Sequence, residues 1–106
     1  MNSNMLYVMR IDKRDNVVNA LSPLQPGQIL EVESLRVIVR SHIPIGHKIS
    51  IKNILKGKPV VKYGEIIGYA STDIQIGDHV HVKNVEDPIS KWKDQYLLVS
   101  SGQTIR

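Results

Sequence analysis

Three histidines follow glycine turns in the middle of the chain, and their spacing favours metal or anion binding. His79 and His81 are two residues apart in an alternating segment that runs to Lys83. Since side chains two apart on a strand share a face, both imidazoles can reach one metal ion. His47 follows Gly46 and offers a third ligand from a neighbouring turn. The alternative is that these histidines face solvent at a strand edge and bind nothing.

A basic segment surrounds the first of these turns. No acidic residue lies between Ser34 and Gly64, whereas the formal net charge of the whole chain is +4, from 14 Lys and Arg against 10 Asp and Glu. The basic residues of this segment are Arg36, Arg40, Lys48, Lys52, Lys56, Lys58 and Lys62. Such a distribution attracts an anion, for example a small carboxylate, and Lys48 is a suitable point charge for one. A solvated face that binds nothing is the alternative.

Nucleic acid is the weakest of the anionic partners, because modules that bind oligonucleotides usually stack bases on aromatic side chains. Near the basic segment only Tyr63 and Tyr69 are available for stacking. We therefore predict no nucleic-acid partner.

The composition predicts one small aliphatic β domain. A chain of 106 residues is long enough for a single core, and 42% of it is apolar. Phe is absent and Trp92 is the single tryptophan, so the core must consist of Val, Ile and Leu, which favour strands. The absence of cysteine excludes disulfides and thiolate metal sites. There is neither a signal-peptide pattern nor an apolar run of membrane-spanning length, so we expect a cytoplasmic protein without membrane contact.

Alternating apolar residues and glycine or proline turns predict about eight short strands and no helix. The predicted strands are 5–11 and 17–21 as a hairpin, 28–32, 35–40, 48–55, 60–63, 65–67 and 79–83. Gly64 and Gly68 indicate a bulge or the close approach of another backbone. Asp15-Asn16 indicates a turn held by side-chain-to-backbone hydrogen bonds. The tail, 87–106, includes an apolar run near Trp92 that would add one strand.

Several motifs together resemble the N-terminal domain of the altronate and galactarate dehydratase family. The motifs are Asp15-Asn16-Val17, Ile43-Pro44-x-Gly46-His47-Lys48, Val61-Lys62-Tyr63-Gly64, Ile67-Gly68-Tyr69-Ala70 and Gly77-Asp78-His79-Val80-His81 followed by Asn84. The resemblance runs from about Tyr7 to Val85 and implies a SAF domain, which has a β-clip fold. We place this domain at residues 5–86 and a C-terminal extension at 87–106.

The resemblance implies part of a lyase that removes water from a sugar acid with a divalent metal such as iron(II). In that family the domain precedes a much larger catalytic one. This chain would then be a small subunit or an N-terminal domain, inactive alone, whose site and metal depend mainly on a large catalytic subunit. A related lyase eliminates sulfite from sulfolactate, so the leaving group is open. The alternative is a non-enzymatic SAF module that binds a sugar acid or related anion, and edge strands also allow homo-oligomers.

Position by position, the resemblance also implies site residues. The substrate-binding residues would be His47, Lys48, Lys62, Tyr63 and Asn84. The metal ligands would be His79 and His81. Lys83 stands where relatives commonly have a further histidine, and a protonated lysine has no lone pair for a metal. This departure predicts weaker metal binding, or an anion in place of the metal.

Overall fold

A computed structural model describes residues 7–87, and within them the fold is all-β, as predicted. Nine short strands are present in this part of the chain, and their bounds are β1 (Val8–Met9), β2 (Val17–Ala20), β3 (Ile29–Val32), β4 (Leu35–Ile38), β5 (Lys48–Ser50), β6 (Pro59–Lys62), β7 (Glu65–Ala70), β8 (His79–Val80) and β9 (Val85–Glu86). The strand expected near Trp92 lies outside the described residues. Across residues 7–87 no helix has the length and apolarity needed to cross a membrane.

The strands form three antiparallel sheets, ordered β1-β2-β5-β8, β3-β4 and β6-β7-β9. The predicted hairpin of the first two strands is confirmed, with Val8 opposite Ala20. The predicted alternation in β4 is also confirmed, since Val37 is buried and both Arg36 and Ile38 are exposed. The predicted strand 48–55 is too long, because β5 ends at Ser50.

The core consists of Val, Ile, Leu and Ala in two clusters, as the composition predicts. The first cluster includes Leu24, Leu30, Ile43 and Ile49. The second includes Ile54, Val60, Ile74 and Val80. Each side chain in these two lists is no more than 4% exposed.

Four turns of one type connect the strands. They span residues 25–28, 44–47, 55–58 and 75–78, and in each the fourth N–H donates to the first carbonyl at 2.9–3.1 Å. The third residue is always glycine, with φ between 86° and 93°. The positive φ and the hydrogen bond identify these as type II turns, which strongly favour glycine at that position.

The residues that flank each turn are equally regular. An aliphatic residue precedes each turn, and these four form two isolated β-bridges, Leu24 with Ile43 and Ile54 with Ile74. A second buried aliphatic residue lies three positions after each glycine. The chain therefore repeats one unit, apolar-x-x-Gly-x-x-apolar, four times, with two units in each core cluster. Unequal intervals between the units conceal this repeat from a search at fixed period.

Asn16 links the β1–β2 loop to β6 across 45 residues of chain. Its side-chain oxygen accepts a hydrogen bond from the Val61 N–H at 2.7 Å, and its side-chain nitrogen donates to the Pro59 carbonyl at 3.0 Å. Its own N–H donates to the Val61 carbonyl at 3.1 Å. The side-chain-to-backbone bonds predicted here are thus present, and they join two different sheets.

Asp15 stabilises the hairpin turn at Tyr63-Gly64. Its side chain is 1% exposed and accepts hydrogen bonds from the N–H groups of Asp12 at 3.0 Å and Gly64 at 2.8 Å. Tyr63 and Gly64 have φ of 58° and 74°, and they connect Lys62 to Glu65 as a type I′ hairpin turn. Since a tyrosine is strained at positive φ, the hydrogen bond to the Asp15 carboxylate helps to hold this turn.

Gly68 confirms the prediction made for the paired glycines. The register of β6 against β7 shifts between Val60 and Val61, as at a β-bulge. A Cβ atom on Gly68 would lie 2.7 Å from the Glu86 carbonyl oxygen of β9. A glycine is therefore needed where this strand passes close to its neighbour.

We expect Asp15→Asn to destabilise the domain by about 1–3 kcal/mol at neutral pH, because it replaces a buried acceptor of main-chain N–H bonds. Burial alone would raise the pKa of Asp15, but hydrogen bonds from Gly64, Asp12 and Tyr63 outweigh it and hold the pKa below 3.8. A lowered pKa stabilises the folded state above the unfolded-state pKa, and this contribution is lost as the pH falls through the folded-state value.

Urea unfolding of wild type and Asp15→Asn across the acid range checks this prediction. The stability difference should be widest above about pH 5 and should shrink steadily below about pH 4. The exposed Glu31→Gln is the control, because it removes one carboxylate from the β3–β4 hairpin without breaking a buried hydrogen bond. A difference that stays constant with pH would contradict the assignment.

Candidate metal and anion site

The structure brings His47, His79 and His81 together. One ligand atom from each ring lies within 4.8 Å of the other two. The closest pair is His47 Nδ1 and His79 Nε2, which are 2.9 Å apart. All three side chains are half-buried, so the cluster is open on one side.

His47 is positioned by the second of the four turns. Its N–H closes the turn on the Pro44 carbonyl at 3.0 Å, and its carbonyl accepts a hydrogen bond from the Ala20 N–H at 2.8 Å. The Gly46 N–H donates to the Ala20 carbonyl at the same distance. These bonds attach the turn to the end of β2 and direct the chain into β5.

His79 is positioned by the fourth turn. The Gly77 N–H donates to the Ser50 carbonyl at 2.8 Å, and the Gly77 carbonyl accepts from the Arg40 N–H at 3.0 Å. His79 then pairs with Ile49 in the β5–β8 register. Because β5 begins one residue after His47, this pairing brings the two histidines to the same end of the sheet.

His81 reaches the cluster from a turn, which corrects the predicted strand 79–83. β8 ends at Val80, and Val82, which alternation placed on the same side as Val80, is 81% exposed. The Asn84 side chain is the cause, because it accepts a hydrogen bond from the His81 N–H at 2.9 Å and donates to the His79 carbonyl at 2.8 Å. Both polar ends of this amide therefore hold the loop that carries the histidines.

The environment favours the neutral form of two of these imidazoles, His79 and His81. Burial, followed by the charge of Lys83, lowers the pKa of His79 to about 4. Burial and the neighbouring His47 also lower the pKa of His81. A neutral imidazole has the free lone pair that a metal ion requires.

The donor set fits a divalent cation, although the rings must rotate to bind it. Within the part of the chain that the structure describes, His81 Nδ1 is buried without a hydrogen-bond partner, as expected of a ligand atom. The three ring planes lie within 15° of parallel, and His47 stacks on His81 with centroids 4.1 Å apart. Since three stacked rings cannot all point their lone pairs at one ion, at least one ring must turn. Three imidazoles suit zinc, iron or another first-row metal.

A pair of lysines continues the site on the side of β2 and β6. Burial, followed by the charge of Lys62, lowers the pKa of Lys48. Lys62 Nζ donates to Asn19 Oδ1 at 3.2 Å and lies 4.7 Å from the centre of the Tyr63 ring. Asn19 is paired with Lys48 in the β2–β5 register. No sequence motif indicates Asn19, because its role depends on contacts with two distant strands.

Lys48 connects this pair with the histidines, since its charge contributes to the lowered pKa of both His79 and His81. The rest of the basic segment is less uniform than its sequence suggests. Arg40 Nε lies 2.8 Å from a carboxylate oxygen of Asp78, and Arg36 lies 3.6 Å from Glu31. Two of the seven basic residues are therefore neutralised by acids from outside the segment.

The arrangement as a whole can hold a cation at the histidines and an anion at the lysines. His47, His79, His81 and Lys48 converge, whereas Lys62 and Tyr63 adjoin Lys48 through Asn19. His42 is exposed on the loop before the second turn.

Comparison with known proteins gives one matching family model, described as the altronate/galactarate dehydratase SAF domain, over residues 6–88. The chain is 42% identical over 86 residues to an altronate dehydratase of Bacillus subtilis and 41% identical over 92 residues to one of Escherichia coli. These matches cover 81% and 87% of this chain but 17% and 18% of the two relatives. The chain thus spans less than one fifth of either relative.

A smaller relative has a length closer to that of this chain. It is the (2R)-sulfolactate sulfo-lyase subunit alpha of Chromohalobacter salexigens, which is 42% identical over 69 residues. The match covers 59% of this chain and 73% of the relative.

We expect the isolated chain to bind one divalent cation at the histidines, and His79→Ala to weaken that binding by about 100-fold, because a ligand is lost. Cobalt(II) titration followed by visible absorption measures both. His42→Ala is the matched control, since it removes an exposed histidine outside the cluster. Equal cobalt affinity of His79→Ala and wild type would contradict the assignment.

Gly77→Ala should destabilise the domain by about 3–5 kcal/mol, through strain at positive φ and overpacking. Its added Cβ would lie 2.1 Å from the Ile38 carbonyl oxygen. Gly27→Ala is the control, because Gly27 has a similar φ of 88° but no atom within 4 Å of the added Cβ. It should lose only about 1–2 kcal/mol in urea unfolding. Equal losses would show that the contact with Ile38 is unimportant.

Proposed function

Since the chain belongs to the altronate/galactarate dehydratase SAF domain family, we propose that it is the small subunit or N-terminal domain of a sugar-acid dehydratase. In this proposal it helps to bind a hydroxy acid at a site that a large catalytic chain completes. The reaction is the elimination of water from the acid, and the chain is inactive alone.

The observation that carries the proposal is the cluster of His47, His79 and His81, with Lys48 close enough for its charge to lower the pKa of His79. The family resemblance of the sequence implies that the same residues bind metal and substrate. The rim contains binding groups, and within residues 7–87 no carboxylate joins the histidine cluster. In this proposal the described residues supply binding groups, and the large chain supplies the groups that carry out the elimination.

Two kinds of relative support a subunit role. The segment shared with this chain makes up 17% and 18% of the two altronate dehydratases. The sulfo-lyase relative is named as a subunit alpha, which is a precedent for a separate small chain. By its name that relative acts on sulfolactate. An activity assay of this chain must therefore also test the elimination of sulfite.

Each group in the site has a role in this proposal. Lys48 and Lys62 bind the substrate carboxylate, and Asn19 holds Lys62 in place through the hydrogen bond to its Nζ. His47, His79 and His81 hold a divalent cation such as iron(II), together with ligands from the large chain. That cation, when bound, supplies Lewis-acid polarisation of substrate oxygens. Asn84 keeps the His79–His81 loop in place.

We expect Lys48→Met to raise the KM for the sugar acid by at least about tenfold in the assembled enzyme, since a partly buried ion pair is lost. The assay follows dehydration of altronate and galactarate, and elimination of sulfite from sulfolactate, by this chain with the large chain that co-purifies with it. Lys52→Met is the control, because Lys52 is an exposed lysine of the same segment.

An unchanged KM for Lys48→Met would remove Lys48 from the site. A folded chain that recovers no large partner and gives no turnover, yet binds a sugar acid in calorimetry, would contradict the subunit proposal. That result would instead identify a non-enzymatic binding module.

A further inference from the structure

A polar cleft of about 360 Å³ lies beside the histidine cluster and shares His79 with it. Its volume falls within the range of small-molecule sites. The residues that line it also include Ser41, Thr72, Asp73, Asp78 and Lys83. Neither the family comparison nor the sequence motifs assigned a function to Ser41, Thr72 or Asp73.

The charges in this cleft nearly cancel. Asp78 is already satisfied, because one carboxylate oxygen pairs with Arg40 at 2.8 Å and the other accepts the Gln75 N–H at 2.7 Å. Among residues 7–87 neither Asp73 nor Lys83 has an ion pair, and they contribute one negative and one positive charge to the lining. The cleft is therefore suited to an uncharged polar group rather than to a second carboxylate.

The hydrogen-bonding groups are those that recognise hydroxyls. Ser41 and Thr72 each donate and accept through a hydroxyl. Asp73 uses Oδ1 to accept the Lys56 N–H at 2.8 Å, which leaves Oδ2 as an acceptor. A hydroxyl that donates to a carboxylate forms a charge-assisted bond, the stronger kind.

We propose that this cleft binds the hydroxylated carbon chain of an aldonic acid, which has one carboxylate, while that carboxylate lies at Lys48. The inference rests on the proposed function and narrows its substrate class. An aldaric acid has a carboxylate at each end and would place the second one beside the negative charge of Asp73. Among the described residues, Lys83 is then the one positive charge in the cleft lining that offsets both carboxylates. Aldonates are therefore preferred over aldarates of equal length.

Amide NMR of the labelled chain with three acids tests this preference. The probes are D-altronate, galactarate and glycolate, which share a hydroxy-carboxylate end and differ in the rest of the molecule. Altronate should bind about fivefold tighter than glycolate, because a longer chain gains hydrogen bonds, and about fivefold tighter than galactarate, because like charges repel. The Thr72 and Asp73 amides should shift with altronate and not with glycolate.

Asp73→Asn provides the sharper test, since an asparagine still caps the Lys56 N–H but removes the charge. It should raise the affinity for galactarate relative to altronate by about fivefold. Glu31→Gln changes the net charge equally on the distant β3–β4 hairpin and should leave the ratio unchanged. Thr72→Val should weaken altronate binding but leave glycolate binding unchanged. Dispersion of the same spectra reports whether each variant is folded.

The outcomes separate this inference from the proposed function. Equal affinity for glycolate and altronate would overturn the role of the cleft while leaving the lysine site intact. The same conclusion would follow if the ratio of galactarate affinity to altronate affinity were equal in Asp73→Asn and Glu31→Gln. No binding of any acid at about 20 mM, well above the millimolar range of weak ligands, would overturn the substrate-binding role and the inference with it.

Discussion

The positive φ of one glycine in each of four type II turns is the constraint on which this domain depends. Strands of two to six residues bury too little surface to be stable as separate hairpins. Each turn compensates by placing a buried aliphatic residue on either side of itself and by forming main-chain hydrogen bonds with a neighbouring strand. The result is a rigid core whose turns project at its rim.

The repeat also explains where the functional groups occur. The two positions between each glycine and the next buried residue lie outside the core, so their side chains can vary without disturbing it. In the second unit these positions hold His47 and Lys48, and in the fourth they hold Asp78 and His79. Pairing of β5 with β8 brings those two units side by side. Two histidines of the cluster thus come from neighbouring, not equivalent, positions in two copies of one unit.

The sequence predicted well wherever local chemistry decides the structure. The aliphatic core, the two strands at 28–32 and 35–40 and the need for glycine at Gly68 all follow from residue type and alternation. Interactions between distant residues account for the errors. Asn84 ends the strand that alternation extended to Lys83, because its amide binds two main-chain groups of the preceding turn. The segment without acids is partly neutralised by Glu31 and Asp78, which lie outside it in sequence.

Lys83 has two opposite effects on the histidine site. Its charge helps to lower the pKa of His79 and so favours the neutral ring that a metal needs. The same charge repels a cation held by that ring. An anion at Lys48 and Lys62 offsets this repulsion, so a carboxylate and a divalent cation should each favour the binding of the other. The metal affinity of this chain is therefore expected to rise when the acid is present.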